Sequence, residues 1–335
     1  MKPITLKEIA ERLNVSTSTV SRALHNHPRI SSATKRAVQA LAQELNFQPN
    51  PLAMNLRMQR TKTIGVIVPK ISYPFYASSI SGIESVAIRE GYNIVICQSN
   101  ESYEREVANI TSLLLSRVDG IVVSLAGETE EYSHFQEVLD RGVPLVFFNR
   151  ICPELSVSQV VIDNFSAARQ AVGSLIQHGC RRIGLLAGPS KVNISNERLR
   201  GYQRALAQYK LPFDPDLIAH CDYSEASGYA QTVNLIQSAN PPDGIFAVSD
   251  RLAIAAVKAI KDHNKRIPED IALVGFNNDP VTSVVTPPLA TIDQNAEQMG
   301  KTTAELLFEQ LQLPEAKTKK VVLKTRLLAR KSVKK

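Results

Sequence analysis

Apolar residues recur at two different periods along this chain. Near the start they return every three or four positions: Ile9, Ala10 and Leu13; then Val20, Ala23 and Leu24; then Ala37, Val38, Leu41 and Leu45. That spacing lays one apolar stripe on each of three short helices. Thr5 and Glu8 have the spacing of a capping box at the first helix start, hydroxyl accepting from amide and carboxylate reaching back. Asn14 tolerates the left-handed turn that ends this helix. Ser16 caps the second helix, His27-Pro28 breaks it, and Ser31 or Ser32 starts the third. Two short helices joined by a tight turn and braced by a third are the helix-turn-helix layout. A generic three-helix bundle with a solvated polar face has the same pattern.

Asn50-Pro51 then opens another helix, with asparagine as N-cap and proline at the first position. Residues 52–57 give it barely two turns, too few to stand alone in water. It is either a helix that folds only when something packs against it or a plain linker.

From Thr63 the pattern changes to short, uniformly apolar runs at 64–68, 93–97, 120–123, 144–148, 160–162, 183–187, 244–248 and 271–276. Most are followed by an amphipathic helical stretch. Buried parallel strands alternating with helices make α/β layers. Eight strands exceed one small doubly wound sheet, so the pattern predicts two doubly wound parallel-sheet subdomains with a cleft between them. Ligands in such sheets bind at the carboxyl ends of the strands, and polar residues fall there. Asn149-Arg150 follow Phe148, Ser249-Asp250-Arg251 follow Val248, and Asn277-Asn278-Asp279 follow Phe276. These donors and acceptors suit a polyhydroxylated ligand. Turn chemistry explains any one triplet equally well; three together favour a site.

Charge sharpens the picture of the first piece. The chain carries a net charge of +7. Residues 1–60 hold nine basic side chains against three acidic ones, whereas the rest holds 30 against 29. A basic head on a near-neutral body points to a polyanionic partner for the head alone. The exposed positions of its second helix, Thr17, Ser18, Ser21 and Arg22, suit duplex DNA: hydroxyls reach phosphates or bases, and an arginine fork takes guanine O6 and N7 together.

Composition excludes several classes. Hydrophobic content of 44% and charged content of 21% are those of a globular chain with a core. No apolar run is long enough to span a membrane, and the N-terminus lacks the apolar stretch and cleavage site of an export signal, so a cytoplasmic protein is expected. Cys97, Cys152, Cys180 and Cys221 lie far apart and read as buried or idle thiols. His25 and His27 fall in the basic head; His134, His178, His220 and His263 are expected at solvated helix ends and loops, and none has metal-ligand spacing. No dinucleotide fingerprint, phosphate loop or nucleophile elbow is present. No catalytic residue, metal or cofactor is expected. A solute-binding transport component would need an export signal and would have no use for residues 1–60. A sugar-converting enzyme with a DNA-binding head has no motif to support it.

The segments ITLKEIAERLNVSTSTVSRAL and LNFQPNPLAMNLR resemble the N-terminal region of the LacI/GalR family of transcription regulators. The resemblance continues in order through TIGVIVPKISYPFYASSISGIE, VDGIVVS, VPLVFFNR, NERLRGYQRAL, GIFAVSDRLAIAAVKAI, DIALVGFNNDP, TPPLATIDQ and TRLLARKS. It implies an all-α helix-turn-helix domain (1–48), a hinge helix and linker (49–61), and a body of the periplasmic-binding-protein type I kind (62–335). The body would divide into an N-subdomain of about 62–163 plus 292–320 and a C-subdomain of about 164–291 plus 321–335. The resemblance implies base reading by Thr17, Ser18 and Arg22, flanked by phosphate contacts from Ser16, Thr19, Ser21, Ser31, Thr34 and Asn50. Thr5 and Leu6 at the first helix start belong to the same DNA-facing set. Leu56, beside Ala53, matches the residue that wedges a central base step in the minor groove; Met54 stands where a basic residue is often found. The effector positions carry over as Phe75, Asn149, Arg150, Arg198, Ser249, Asp250 and Asn277. Asn149 and Asn277 stand where many relatives have aspartate. The implied protein is a repressor acting as a homodimer on a pseudo-palindromic operator in double-stranded DNA, controlled by a sugar or sugar derivative in the cleft. The chain stops soon after Arg330-Lys331-Ser332 with no apolar heptad tail, so a tetramer is not expected.

Overall fold

The computed structural model describes residues 4–45, 47 and 60–333. The expected hinge helix, with Asn50, Ala53, Met54 and Leu56, lies outside the described residues. The chain divides into two compact units, Met1–Thr61 and Lys62–Lys335.

The first unit holds α1 (Leu6–Arg12), α2 (Thr17–Leu24) and α3 (Ser32–Glu44). Each starts on a hydroxyl that satisfies an otherwise orphaned amide: Thr5 accepts from Glu8 N, Ser16 from Thr19 N and Ser31 from Thr34 N. The Thr5 half of the expected capping box forms, while the Glu8 carboxylate lies 3.9 Å from Arg12 Nη2, one turn on. Asn14 takes φ +46°, closing α1 in the left-handed region as its residue type allows. The core is Ile9, Ala10, Val20, Ala23, Val38 and Ala42. Ala37, expected in the α3 stripe, is exposed; Ala42 fills that role, one turn beyond Val38 on the same face. A core this small leaves the caps a large share of the stability. Ser16→Ala is expected to destabilise the head by about 1 kcal/mol, read as roughly fivefold faster exchange of the α2 amides. An unaltered exchange rate would mean that the cap contributes nothing.

In the second unit the chain alternates strand and helix: β1 (Thr63–Val68), α4 (Pro74–Arg89), β2 (Asn93–Gln98), α5 (Tyr103–Leu115), β3 (Gly120–Val123), α6 (Ser133–Asp140), β4 (Leu145–Phe148) and β5 (Ser158–Ile162). It continues through α7 (Asn164–Gln177), β6 (Ile183–Ala187), α8 (Asn193–Gln208), β7 (Ile218–His220), α9 (Glu225–Ile236), β8 (Gly244–Ala247), α10 (Asp250–Asp262) and β9 (Ala272–Asn277). The last elements are β10 (Ala290–Asp293), α11 (Ala296–Gln312), β11 (Lys320–Leu323) and β12 (Arg326–Leu328).

Two six-stranded sheets result, in the orders β11-β5-β4-β3-β1-β2 and β12-β10-β9-β8-β6-β7. All pairings are parallel except β10 with β12. The central strands β3, β4, β6 and β8 are buried along their whole length, which is why they read as flat apolar runs. The subdomain crossings differ from those expected. A boundary at 291/292 would cut β10, which pairs with β9 through Asp293; one at 320/321 would cut β11, which pairs with β5 through Leu323. Hydrogen-bonded register keeps each strand whole, so the chain crosses after Asp293 and again after Leu323. Arg330 and Ser332 then fasten the end of the chain to the second sheet: Arg330 Nη1 donates to Leu289 O and Ser332 Oγ to Leu273 O.

Candidate ligand pocket

The carboxyl ends of the strands in both sheets surround one cavity of about 220 Å³, room for a small organic ligand rather than a single water. Of the residues expected to bind an effector, Phe75, Asn149, Arg150, Arg198, Ser249 and Asn277 line it. Asp250 does not. It occupies the first position of α10 beneath the lining, where its carboxylate accepts from Thr291 Oγ1 at 2.7 Å and from Asp279 N at 2.8 Å. Burial pushes its pKa up to about 7. It ties β10 and the segment after β9 together instead of facing the cavity.

Each lining group has a local cause. Asn149 takes φ +59°, which turns the chain at the end of β4 and aims its side chain inward; its Nδ2 donates to Tyr76 OH at 3.3 Å. Arg150, next along, is buried, and its guanidinium is held by Glu101, at 2.5 Å from Nη1 and 3.2 Å from Nη2. Glu101 also accepts from Gly127 N at 2.8 Å and sits at φ +67°. Arg198 enters from α8 on the other sheet. Its Nε donates to Asn164 Oδ1 at 2.9 Å, its Nη1 to Val248 O at 2.6 Å, and its Cζ lies 3.7 Å from the Phe276 ring centroid. Burial lowers its pKa to about 10, so it stays charged at neutral pH. Asn277 Oδ1 accepts from Gln294 Nε2 at 2.6 Å. Ser249 caps α10 by accepting from Leu252 N.

Asp279, part of the polar cluster expected after β9, also lines the cavity; Tyr73, Tyr223 and Gln294 line it too and were not among the expected site residues. Gln294 follows β10, whose Thr291 and Asp293 keep it from registering as an apolar run. Glu101, which holds Arg150, carries no local signal. Contacts that bridge the two subdomains near the cavity include Arg150 over the Tyr223 ring at 5.8 Å, Arg251 over the Tyr73 ring at 5.0 Å, Lys191 Nζ to Glu130 Oε1 at 2.9 Å and Asn193 Nδ2 to Ile151 O at 3.4 Å.

The expectation of solvated histidines fails at His134. It is buried, with Nε2 3.2 Å from the buried carboxylate of Glu106, which also accepts from Ala126 N and Thr129 Oγ1. This network pins the segment after β3.

In the first unit, Thr17, Ser18 and Arg22 are exposed on α2, as are Ser16 and Ser31 at the caps, while Thr19, Ser21 and Thr34 are half-buried. Thr5 is exposed, but Leu6 packs against the head core, since it begins the apolar face of α1. Asn50, Ala53 and Leu56 lie outside the described residues.

Residues 5–50 match the model of bacterial regulatory proteins of the lacI family, and residues 172–333 match that of a periplasmic binding protein-like domain. The HTH-type transcriptional repressor CytR of Escherichia coli (strain K12) is 35% identical over 308 residues, covering 92% of this chain and 90% of that protein. The chain belongs to the lacI family. Among solved structures of similar proteins, the transcriptional regulator CelR–cellobiose complex has 31% identity and a TM-score of 0.76, with 98% of this chain and 99% of that one covered. The lac repressor dimer bound to operator and the anti-inducer ONPF has 26% identity, a TM-score of 0.89 and full coverage of both chains. The architecture of lacI-family regulators, a helix-turn-helix domain followed by a periplasmic-binding-protein-like body, is thus that of this chain. These relatives are transcriptional regulators. No helix among the described residues is long and apolar enough to cross a membrane.

Proposed function

We propose that this lacI-family protein is a repressor that binds a pseudo-palindromic operator as a homodimer and changes its DNA affinity when a sugar-like effector enters the cavity. The observation that carries this reading is the cavity itself. It places Arg150 from one sheet and Arg198 from the other on a single small space, in a chain whose excess positive charge lies in its first sixty residues. CelR was solved with cellobiose and the lac repressor with operator and ONPF; both kinds of partner come to this chain by that likeness. The head is assigned to 1–48, the tether with its minor-groove hinge to 49–61, and effector binding to 62–335, acting in the bacterial cytoplasm.

Ligand contacts from both sheets favour one arrangement of the two subdomains over another. That preference is passed to the hinge segments through the spacing of the paired subdomains. For the pair itself, the open edge of β2 is the proposed contact. It lies at the end of its sheet and exposes Val95 and Ile96, with Ile88 close by in sequence at the end of α4.

On the DNA side, Arg22→Ala is expected to cost about 1–3 kcal/mol on the operator and to relax preference at one base pair per half-site. Selection of bound sequences from a randomised duplex library measures this, and an unaltered motif takes base reading away from Arg22. Affinity is also expected to fall steeply as salt rises, because phosphate contacts release counterions.

A further inference from the structure

The segment that follows β9 brings Asn277, Asp279 and Val281 to the cavity lining. Its backbone takes a conformation that a chain does not adopt freely. Asn277 has φ +125° and Asn278 has φ +60°. Asparagine tolerates the second value. The first is uncommon for any residue with a side chain, and it persists only where the surroundings over-determine it. Whatever braces this segment therefore decides where its side chains stand.

Two sets of contacts brace it. One comes from elements beside the pocket: Asp250 accepts from Asp279 N at 2.8 Å, Thr291 Oγ1 accepts from Asn278 N at 3.2 Å, and Gln294 Nε2 donates to Asn277 Oδ1 at 2.6 Å. The other comes from Arg330, 52 positions along the chain from Asn278. Its Nη2 donates to Asn278 Oδ1 at 2.9 Å, and its Nη1 to Thr282 Oγ1 at 2.7 Å and Leu289 O at 2.8 Å. The Thr282 hydroxyl carries the link on by donating to Asp279 O at 2.6 Å. One planar fork thus spans the segment at three points, a reach that the single ammonium of a lysine lacks. The fork is itself anchored. Two residues on, the buried Ser332 Oγ donates to Leu273 O at 2.6 Å and accepts from Ala290 N at 2.8 Å. Arg330 is half-buried and stands behind the lining rather than in it.

We propose that Arg330 is a positioning residue for the effector response. By bracing Asn278, Thr282 and Leu289 it keeps Asn277 and Asp279 at the cavity wall, and so sets the affinity of the pocket without touching its occupant. This inference rests on the reading of the cavity as the effector site.

The test uses the full chain, the genomic DNA fragments it retains and, as probe, a protein-free extract of cell metabolites. The readout is the amount of extract that produces half of the change in retention. Arg330→Gln is expected to raise that amount about tenfold or more. Lys331→Gln, exposed and next along the chain, should leave it where it was. Arg330→Lys, which keeps the charge but loses the fork, should also raise it and serves if Arg330→Gln does not fold. An arginine that merely stabilised the body would act independently of Asn278. Asn278→Gly removes the acceptor while glycine tolerates the φ. The variant carrying both Arg330→Gln and Asn278→Gly should therefore need no more extract than the worse single variant. A parent-like response in Arg330→Gln, or losses that multiply in the double variant, overturns the proposal and leaves the effector reading standing. No response in the parent chain removes that reading, and this inference with it.

Discussion

Arg198→Ala is expected to weaken binding of any ligand that shifts the DNA affinity of the parent chain by about 100-fold, or roughly 3 kcal/mol. The size follows from what the side chain offers. Arg198 is charged at neutral pH, is fixed by Asn164 Oδ1 and Val248 O, and has its Cζ 3.7 Å from the Phe276 ring centroid. A pre-oriented fork loses little entropy when a ligand arrives. Hydrogen bonds to a charged group in a dry site are worth about 1.5–3 kcal/mol each. Truncation also strips Asn164 Oδ1 and Val248 O of their donor, so a modest loss of body stability accompanies the loss of affinity. Calorimetry on the variant measures the effect, and DNA affinity without ligand, which depends on the head, is the control. A loss of less than threefold would move the ligand away from Arg198.

Gly300→Ala is expected to destabilise the body by about 2–3 kcal/mol, although alanine in a helix interior normally stabilises by close to 1 kcal/mol. Helices α4 and α11 cross where Gly82 and Gly300 let their backbones meet. A Cβ at 300 would fall 1.9 Å from Ser79 O, and one at 82 would fall 2.2 Å from Glu297 O. Both obstacles are backbone and cannot rotate away. The Ser79 hydroxyl crosses the same gap to Ala296 O at 3.1 Å, so separating the helices breaks a half-buried hydrogen bond as well as the packing of Ile83 and Met299. The consequence reaches the pocket, since Phe75 and Tyr76 stand on the first turn of α4. The midpoint of urea unfolding at constant slope measures the change. Gly142→Ala is the comparison, because its Cβ meets nothing within 4 Å and only its φ of +70° opposes the substitution. A Gly300 variant no less stable than the Gly142 variant would contradict this packing account.

The helical head and most of the strands were legible in the sequence because their burial is periodic or continuous. Ile9, Val20 and Val38 fall on the three-to-four-residue beat, and β1, β3, β4, β6, β8 and β9 are unbroken apolar runs. Four strands escaped notice for a physical reason. β7, β11 and β12 flank a sheet and are not continuously buried, and β10 mixes Thr291 and Asp293 with its apolar residues, so none makes a flat apolar run. Missing β10 and β11 is what misplaced the crossings. The polar groups at strand ends were visible because turns and ligands both demand them. What sequence spacing does not tell is which of those groups turns into the cavity. Asp250 was expected to touch the ligand, but as the first residue of a buried helix it binds Asp279 N and Thr291 instead. Glu101 lies 49 positions from the arginine it neutralises, and Glu106 lies 28 from His134. Such long-range pairs leave no periodic trace.

The account's central claim is that the basic head recognises particular duplex sites under the control of the pocket. Genomic fragments retained by the purified full chain, sequenced with and without an extract of cell metabolites, test it most directly. The predicted result is a small set of fragments sharing a near-palindromic motif, whose recovery changes when the extract is added and stops responding in Arg198→Ala. Retention of fragments without any common motif, with or without the extract, would contradict it.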